Sequence, residues 1–300
     1  MTLARPSRAD AGLMAVMLLF LSASGPIIAA TVAPALAIAF WRCILGSGAT
    51  GVWLLARRSR EVLQLTRREL GLIAAAGILL GLHFAAWVPS LRFTSVAAST
   101  AIVATQPVWA ALIARARGVR IAPLAWLGIG ISLLGVIVLT GIDASLDPRA
   151  LIGDGLALLG AILAAAYISV GEHARKTVST STMTFVLYAV SAVTVLVIVI
   201  VLRVPLTGFS LEAWALILLL TLTAQLMGHS LMNRLLATVP ATVISLTILL
   251  ELPGAAIIAA IVLGQTPPLS LIPAMALILA GLVLVIRTTR STTLVETPPI

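Results

Sequence analysis

Hydrophobic residues in this chain come in long runs, each about the length of a bilayer crossing, and the short segments between them hold nearly all the charge. A hydrocarbon core of about 30 Å takes roughly 20 helical residues at about 1.5 Å each. On that ruler the runs predict ten membrane helices: Ala11–Ala30, Pro34–Ala56, Leu70–Leu91, Thr94–Ala114, Pro123–Leu139, Gly153–Gly171, Thr182–Leu202, Leu211–Asn233, Val239–Leu263 and Leu271–Ile286. Several contain Gly or Pro, which membrane helices tolerate when neighbours satisfy the freed backbone groups. The polar tail Arg287–Ile300 is expected to be disordered.

The runs repeat. Displacing the chain by 146 residues places His83 on His229, Pro107 on Pro253, Gly118 on Gly264, Gly135 on Gly281 and Gly25 on Gly171. A period of that length marks a duplication, with one repeat over 1–146 and the other over 147–300. Five crossings per repeat is an odd number, so the second copy enters the membrane inverted. Inverted repeats suit alternating access to a site held between them. The expected fold class is therefore an all-α membrane protein of ten transmembrane helices, built as two inverted five-helix repeats.

Composition agrees with a bilayer environment. The chain is 61% hydrophobic and 10% charged, against about 25% charged for a soluble domain. A net charge of +9 would point to nucleic acid in a soluble protein, but here the basic residues are loop residues and no nucleic-acid partner is expected. With both termini in the cytoplasm, the cytoplasmic segments carry Arg5, Arg8, Arg57, Arg58, Arg60, Arg67, Arg68, Arg115, Arg117, Arg120, Arg175, Lys176, Arg234, Arg287 and Arg290. The opposite side carries only Arg92, Arg149 and Arg203, together with Asp143, Asp147, Asp154 and Glu212. The positive-inside rule selects that orientation, in a cell (inner) membrane. The basic start MTLARPSRAD followed by an apolar run also fits a signal peptide; the counterpart of this run in the second repeat argues that it is the first helix instead. Cys43 is the single cysteine, so no internal disulfide forms, and no Cys/His cluster has metal-ligand spacing. Neither a metal nor a cofactor is expected.

Two stretches carry a family likeness, SLRFTSVAAST…TQPVWAALIARARG in the first repeat and LLATVPATVISLTILLELPGAAIIAAIVLGQ in the second. They resemble the paired EamA-type repeats of the drug/metabolite transporter superfamily, and the likeness covers nearly the whole chain. It implies ten helices around a central cavity lined mainly by helices 3, 4, 8 and 9, with help from 1 and 6. Members mostly export small metabolites such as amino acids; others exchange sugar nucleotides or import solutes. Second repeats of the family often place Glu directly before the helix-9 proline, whereas here Leu252 separates Glu251 from Pro253. On an ideal helix that step turns the carboxylate by about 100°.

The polar residues inside the runs are the candidate site. Glu251 lies near the bilayer midplane, where a charge costs at least about 2.5–3.5 kcal/mol; it is read as a proton-coupling or substrate-cation group, or as a structural carboxyl between helices. Arg42 is the one arginine well inside a run, and either receives a substrate carboxylate or anchors helices. His83 and Trp87, four residues apart, share a helix face and suit an amphipathic ligand by hydrogen bonding and cation–π contact. His229 and Asn233 repeat that spacing in the second half. Gln106 precedes the in-helix Pro107, with Ser99 seven residues before it and Trp109 one turn after; Tyr167 in the sixth run is a candidate of the same kind. Ordinary packing is the competing reading for each aromatic and histidine.

An intramembrane enzyme would need a nucleophile and base, or paired aspartates, and no pair of aspartates lies within the spans, so no enzyme is expected. No phosphate-cradling Gly-Lys-Ser/Thr loop supports ATP hydrolysis. A channel would show charge rings in an oligomer. The expectation is a secondary transporter, most simply an exporter of a small polar or amphipathic, amino-acid-like metabolite, monomeric or weakly dimeric in the lipid bilayer. The alternatives on the same fold are a flippase or scramblase of a lipid-linked substrate and an importer or exchanger of an organic cation.

Overall fold

The computed structural model describes residues 7–57, 60–94, 96–140, 148–263, 269 and 271–288. Gly264, Asp143, Asp147, Arg5, Arg58, Arg290 and all of the expected tail beyond Thr288 lie outside them. Among the described residues all regular structure is helical. Ten helical units follow the ten runs: α1 (Arg8–Ala30), α2 (Ala35–Ala56), α3 (Arg67–Ser90), α4, α5 (Pro123–Thr140), α6 (Pro148–Ala174), α7 (Thr180–Val201), α8 (Leu211–Leu235), α9 and α10 (Leu271–Thr288). Six of them (α1, α2, α3, α6, α7 and α8) are long and apolar enough to cross a membrane as single helices. α4 and α9 are each split, into Val96–Val103 (α4a) and Gln106–Ala116 (α4b), and Ala241–Ile248 (α9a) and Glu251–Leu263 (α9b).

Local chemistry explains several boundaries. α1 and α3 begin in capping boxes, Ser7 with Asp10 and Thr66 with Glu69, each satisfying two orphan amides. α7 and α8 begin at Ser179 and Ser210, whose hydroxyls accept from Thr182 N and Ala213 N. Ser179 also reaches across to the short helix Glu61–Gln64 that links α2 to α3. Glu61 accepts from Ser179 N at 2.8 Å, from Thr182 Oγ1 at 2.6 Å and from Ser179 Oγ. Partial burial opposes ionisation of Glu61, but these three hydrogen bonds and nearby Arg175 outweigh it and hold the carboxyl below its ordinary value.

The packing carries the symmetry of the sequence. α3 packs on α6 and α8 on α1; α4 packs on α6 and α9 on α1. Advancing each partner by five helices exchanges one pairing for the other. α2 with α7, α4 with α9 and α5 with α10 are their own images, so they lie on the pseudo-two-fold axis. In α5 and α10, Gly128 faces the Gly281 carbonyl and Gly135 faces the Ala274 carbonyl, while Ser132 Oγ donates to Ile278 O at 3.3 Å. As α5 ascends, α10 descends. A displacement of 146 maps Gly128 to Ala274 and Gly135 to Gly281, so the contact maps onto itself. Self-paired helices that run antiparallel require an axis in the membrane plane, which is the inverted arrangement expected from the odd number of crossings.

Two departures from continuous helices matter for the site. The first is the pair of breaks. Thr105 N donates to Ile102 O and Leu250 N to Thr247 O, both at 3.0 Å, tight three-residue bonds that replace the four-residue ladder. Pro107 has no amide to give to the Val103 carbonyl, and Pro253 none for Leu249. The second is a π-helical stretch in α8, Thr221–His229. Its displaced carbonyls find hydroxyls: Tyr188 Oη donates to Gln225 O at 3.0 Å and Ser230 Oγ to the same oxygen at 3.4 Å. Such segments re-aim side chains and recur at functional sites.

Candidate functional site

The breaks of α4 and α9 meet α1, α3, α6 and α8 around a cavity of about 60 Å³, room for a few waters at roughly 10–15 Å³ each. Val103 and Leu249, whose carbonyls lose their usual four-residue amide donor to the prolines, both line it, and Leu249 O instead accepts from Leu252 N at 3.4 Å. They are equivalent under the 146-residue displacement, so each repeat presents an irregular backbone segment to the same space. Non-helical backbone is tolerated at membrane depth where it lines a cavity.

Of the candidates, the cavity brings together His83, Trp87, Gln106, Tyr167, His229 and Glu251. His83 Nδ1 lies 2.9 Å from Gly160 O, and since a carbonyl only accepts, Nδ1 carries the proton. The His83 ring stacks on Trp87 with centroids 5.8 Å apart and planes 12° from parallel. Trp87 Nε1 and His229 Nδ1 are buried without a protein hydrogen-bond partner among the described residues, so both offer unused polar atoms. His229 is instead fixed edge-on to Phe84, centroids 5.3 Å apart. Gln106 Nε2 donates to Ser245 Oγ at 3.2 Å, joining α4 to α9 across the pseudo-axis.

Glu251 opens α9b and is half-buried against the cavity. Glu251 and Leu252 both belong to α9b, so the helical step between them stands, and both residues line the cavity. Position 251 is therefore the first residue of a half-helix rather than one inside a continuous helix.

Four candidates fall elsewhere. Ser99 shares a hydrogen bond of 2.7 Å with Ser90 and ties α4a to the end of α3; its seven-residue spacing from Gln106 does not place the two on one face, because the helix breaks between them. Trp109 donates to Thr105 Oγ1 at 3.2 Å and lies outside the cavity lining. Asn233 supports the cavity from behind, accepting from Tyr167 Oη at 2.9 Å and donating to His229 O at 2.8 Å. Arg42 is fully buried in α2, with Nε donating to Gln225 Oε1 at 2.8 Å and its guanidinium carbon 4.1 Å from the Phe84 ring centroid. Its Nη1 and Nη2 have no hydrogen-bond partner among the described residues.

Residues that the sequence reading did not single out are Ser24, Thr100 and Ser245 on the wall, and Gln225, Tyr188 and Phe84 behind it. Ser245 is polar within an apolar run, as Ser99 is, and that was the one available signal. Gln225 is equally polar within its run, but its direction depends on the π-helical register. No group of three or more His, Cys, Asp or Glu side chains with metal-binding geometry occurs among the described residues.

Ten helices in two inverted repeats, with polar groups gathered between them at paired chain breaks, define a membrane transporter of the duplicated type. The model of the EamA-like transporter family matches residues 11–141 and 151–287, and the chain belongs to that family. No curated protein matches the chain. A solved structure described as "Crystal structure of protein" is similar in fold, with a TM-score of 0.75 over 95% of this chain and 99% of its own at 19% identity.

Proposed function

We propose that this protein exports a small polar or amphipathic, amino-acid-like metabolite from the cytoplasm across the inner membrane, by rocking repeats 1–146 and 147–300 about the central cavity. The observation that carries the reading is the composition of that cavity, where an apolar wall holds a carboxyl group, two imidazoles, an indole and an amide contributed by both repeats. Glu251 supplies the negative charge that an ammonium group seeks. Trp87 offers a ring face and an unused N–H, and Gln106 with Ser245 offers neutral hydrogen bonding. His83, held by Gly160, turns its second ring nitrogen away from that bond as an acceptor.

Glu251 also serves as the coupling group. A carboxyl that faces a wet cavity in one state and a dry one in the other exchanges its proton between states. Both termini lie in the cytoplasm, as the arginine distribution requires, and the protein works as a monomer or weak dimer. Purified protein in liposomes, screened against amino acids and organic cations with and without a pH gradient, tests the reading. Accumulation of an amino-acid-like solute supports it. Movement of a labelled lipid with no solute flux would replace it with a flippase or scramblase.

A further inference from the structure

Arg92, Arg149 and Arg203 are the three basic residues on the sparsely charged side of the protein, and one surface groove has Arg92 in its wall, Arg149 beside a wall residue and Arg203 next to two wall residues in the chain. Its upper part, about 620 Å³, lies among α2, α3, α6 and α7, with Leu82, Ala85, Pro89, Leu159 and Ile198 in its wall. At Leu82 and Ile198 it continues into a second part of about 550 Å³ between α3 and α7, reaching Ile78 and Ala189. Arg92 is itself in the wall of the upper part. Its Nη2 donates to Thr31 O at 2.8 Å and to Ala33 O at 3.4 Å, which fixes the exposed guanidinium at the groove's end. The Arg149 guanidinium carbon is 5.9 Å from the centroid of Phe93, another wall residue. Arg203, exposed and with φ of 52°, sits between Leu202 and Val204, which both line the groove.

We propose that this groove binds an anionic phospholipid of the non-cytoplasmic leaflet, with an acyl chain along α3 and the phosphate among the three arginines. Length supports the fit. From Ile78 to its end at Ser90, α3 advances 12 residues, about 18 Å of helix, which exceeds the roughly 15 Å depth of one leaflet, half of a 30 Å core. Chemistry supports it too. The wall is apolar apart from Thr194 and Arg92, so it offers an acyl chain contact along its length and an anion charge at one end only. Gly153 positions that end, because a side chain there would collide with Phe93 and Thr94. The leaflet follows from the orientation proposed above, whereas the lipid chemistry does not depend on it or on the transported solute.

The test is native mass spectrometry of the full chain with equal amounts of phosphatidylglycerol and phosphatidylcholine. Wild-type protein is expected to retain phosphatidylglycerol in preference. Each basic residue near a lipid surface contributes about 1 kcal/mol, or roughly fivefold. R149Q/R203Q, which spares the Arg92 tie between helices, is therefore expected to reduce the preference about 25-fold. Ala85→Trp, which fills the groove, is expected to lose the bound lipid of either kind while remaining monodisperse. Undiminished phosphatidylglycerol preference in R149Q/R203Q overturns the proposal. So does a dimer cross-linked through Leu159→Cys in a bilayer, because a second copy would then occupy the groove.

Discussion

The breaks in α4 and α9 share a backbone but not a chemistry. Both fall just before a proline that the duplication places in register, Pro107 and Pro253. The first break reads Thr105-Gln106-Pro107 and the second Glu251-Leu252-Pro253. Thr105 turns its hydroxyl back to Ile102 O and receives Trp109, while Glu251, its counterpart, lines the cavity. The opposite assignment holds in α2 and α7, where Arg42 of the first repeat corresponds to Tyr188 of the second. The two repeats share the backbone break, and the divergence of their side chains places the carboxyl group in one repeat and the guanidinium in the other.

The sharpest way to break that comparison is to exchange the chemistry at one break only. Glu251→Gln keeps size and hydrogen bonding while mimicking the protonated acid. Accumulation driven by a pH gradient is expected to disappear, with solute exchange at zero net flux retained; Thr105→Val, at the equivalent position, is expected to preserve both. Accumulation by Glu251→Gln would remove the carboxyl from the coupling step. Loss of folding would make it a structural partner of Arg42.

A second contrast lies on the axis itself. Gly281→Ala would press a methyl group against Gly128 O and Ser132 and is expected to destabilise the protein by about 1–3 kcal/mol, as overpacked cores are. Gly130, two residues from Gly128 and so on the opposite side of α5, has open space around it, so Gly130→Ala is expected to leave the midpoint of thermal unfolding unchanged or slightly raised. Equal midpoints for the two variants would mean that α5 and α10 do not meet through their glycines.

The sequence made the helices legible and left their interruptions hidden. All ten runs became helical units, because a span is recorded by twenty or so consecutive apolar residues. The interruptions depend on which carbonyl lacks a donor and which side chain replaces it. Pro107 and Pro253 pointed to them, but Ala104 and Leu250 gave no local sign. The same limit applies to the site. His83 and Trp87, four residues apart within an unbroken helix, stack on one another, whereas a break separates Ser99 from Gln106. Arg42 was visible as a buried cation, yet Gln225, to which it bonds, is directed by a π-helical turn that apolar periodicity does not encode.

Trp87 and Trp53 offer a third contrast, between cavity and periphery. Trp87 is stacked on His83, whereas Trp53 is exposed with the Arg57 guanidinium over its ring. Trp87→Ala is expected to reduce solute uptake about tenfold, equivalent to about 1.4 kcal/mol. Trp53→Ala is expected to stay within about twofold of wild type. Equal losses in two folded variants would make Trp87 ordinary packing.

The smallest effect is expected at the surface, where Glu61 joins the α2–α3 connection of one repeat to the start of α7 in the other. Its carboxyl titrates lower in the folded protein than in the unfolded chain. The stabilisation is therefore present above the unfolded value and is lost as pH falls through the folded one. Glu61→Gln is expected to cost about 1 kcal/mol, the scale of a helix cap, and to flatten the acid limb of thermal stability measured against pH. An unaltered acid limb would show that the Ser179 and Thr182 contacts carry no charge-dependent energy.

The central claim is that one cavity between inverted repeats opens alternately to both sides. Ala164 lines the cavity and is small enough to become a reporter. With Cys43 replaced by alanine, Ala164→Cys should react with a membrane-impermeant maleimide in sealed cells and also in inside-out vesicles. Control cysteines at Thr207 and Leu63 should react only from the outside and only from the inside, respectively. Labelling of Ala164→Cys from both sides is the predicted result. Labelling from one side only, in a variant that still transports, would contradict alternating access through this cavity.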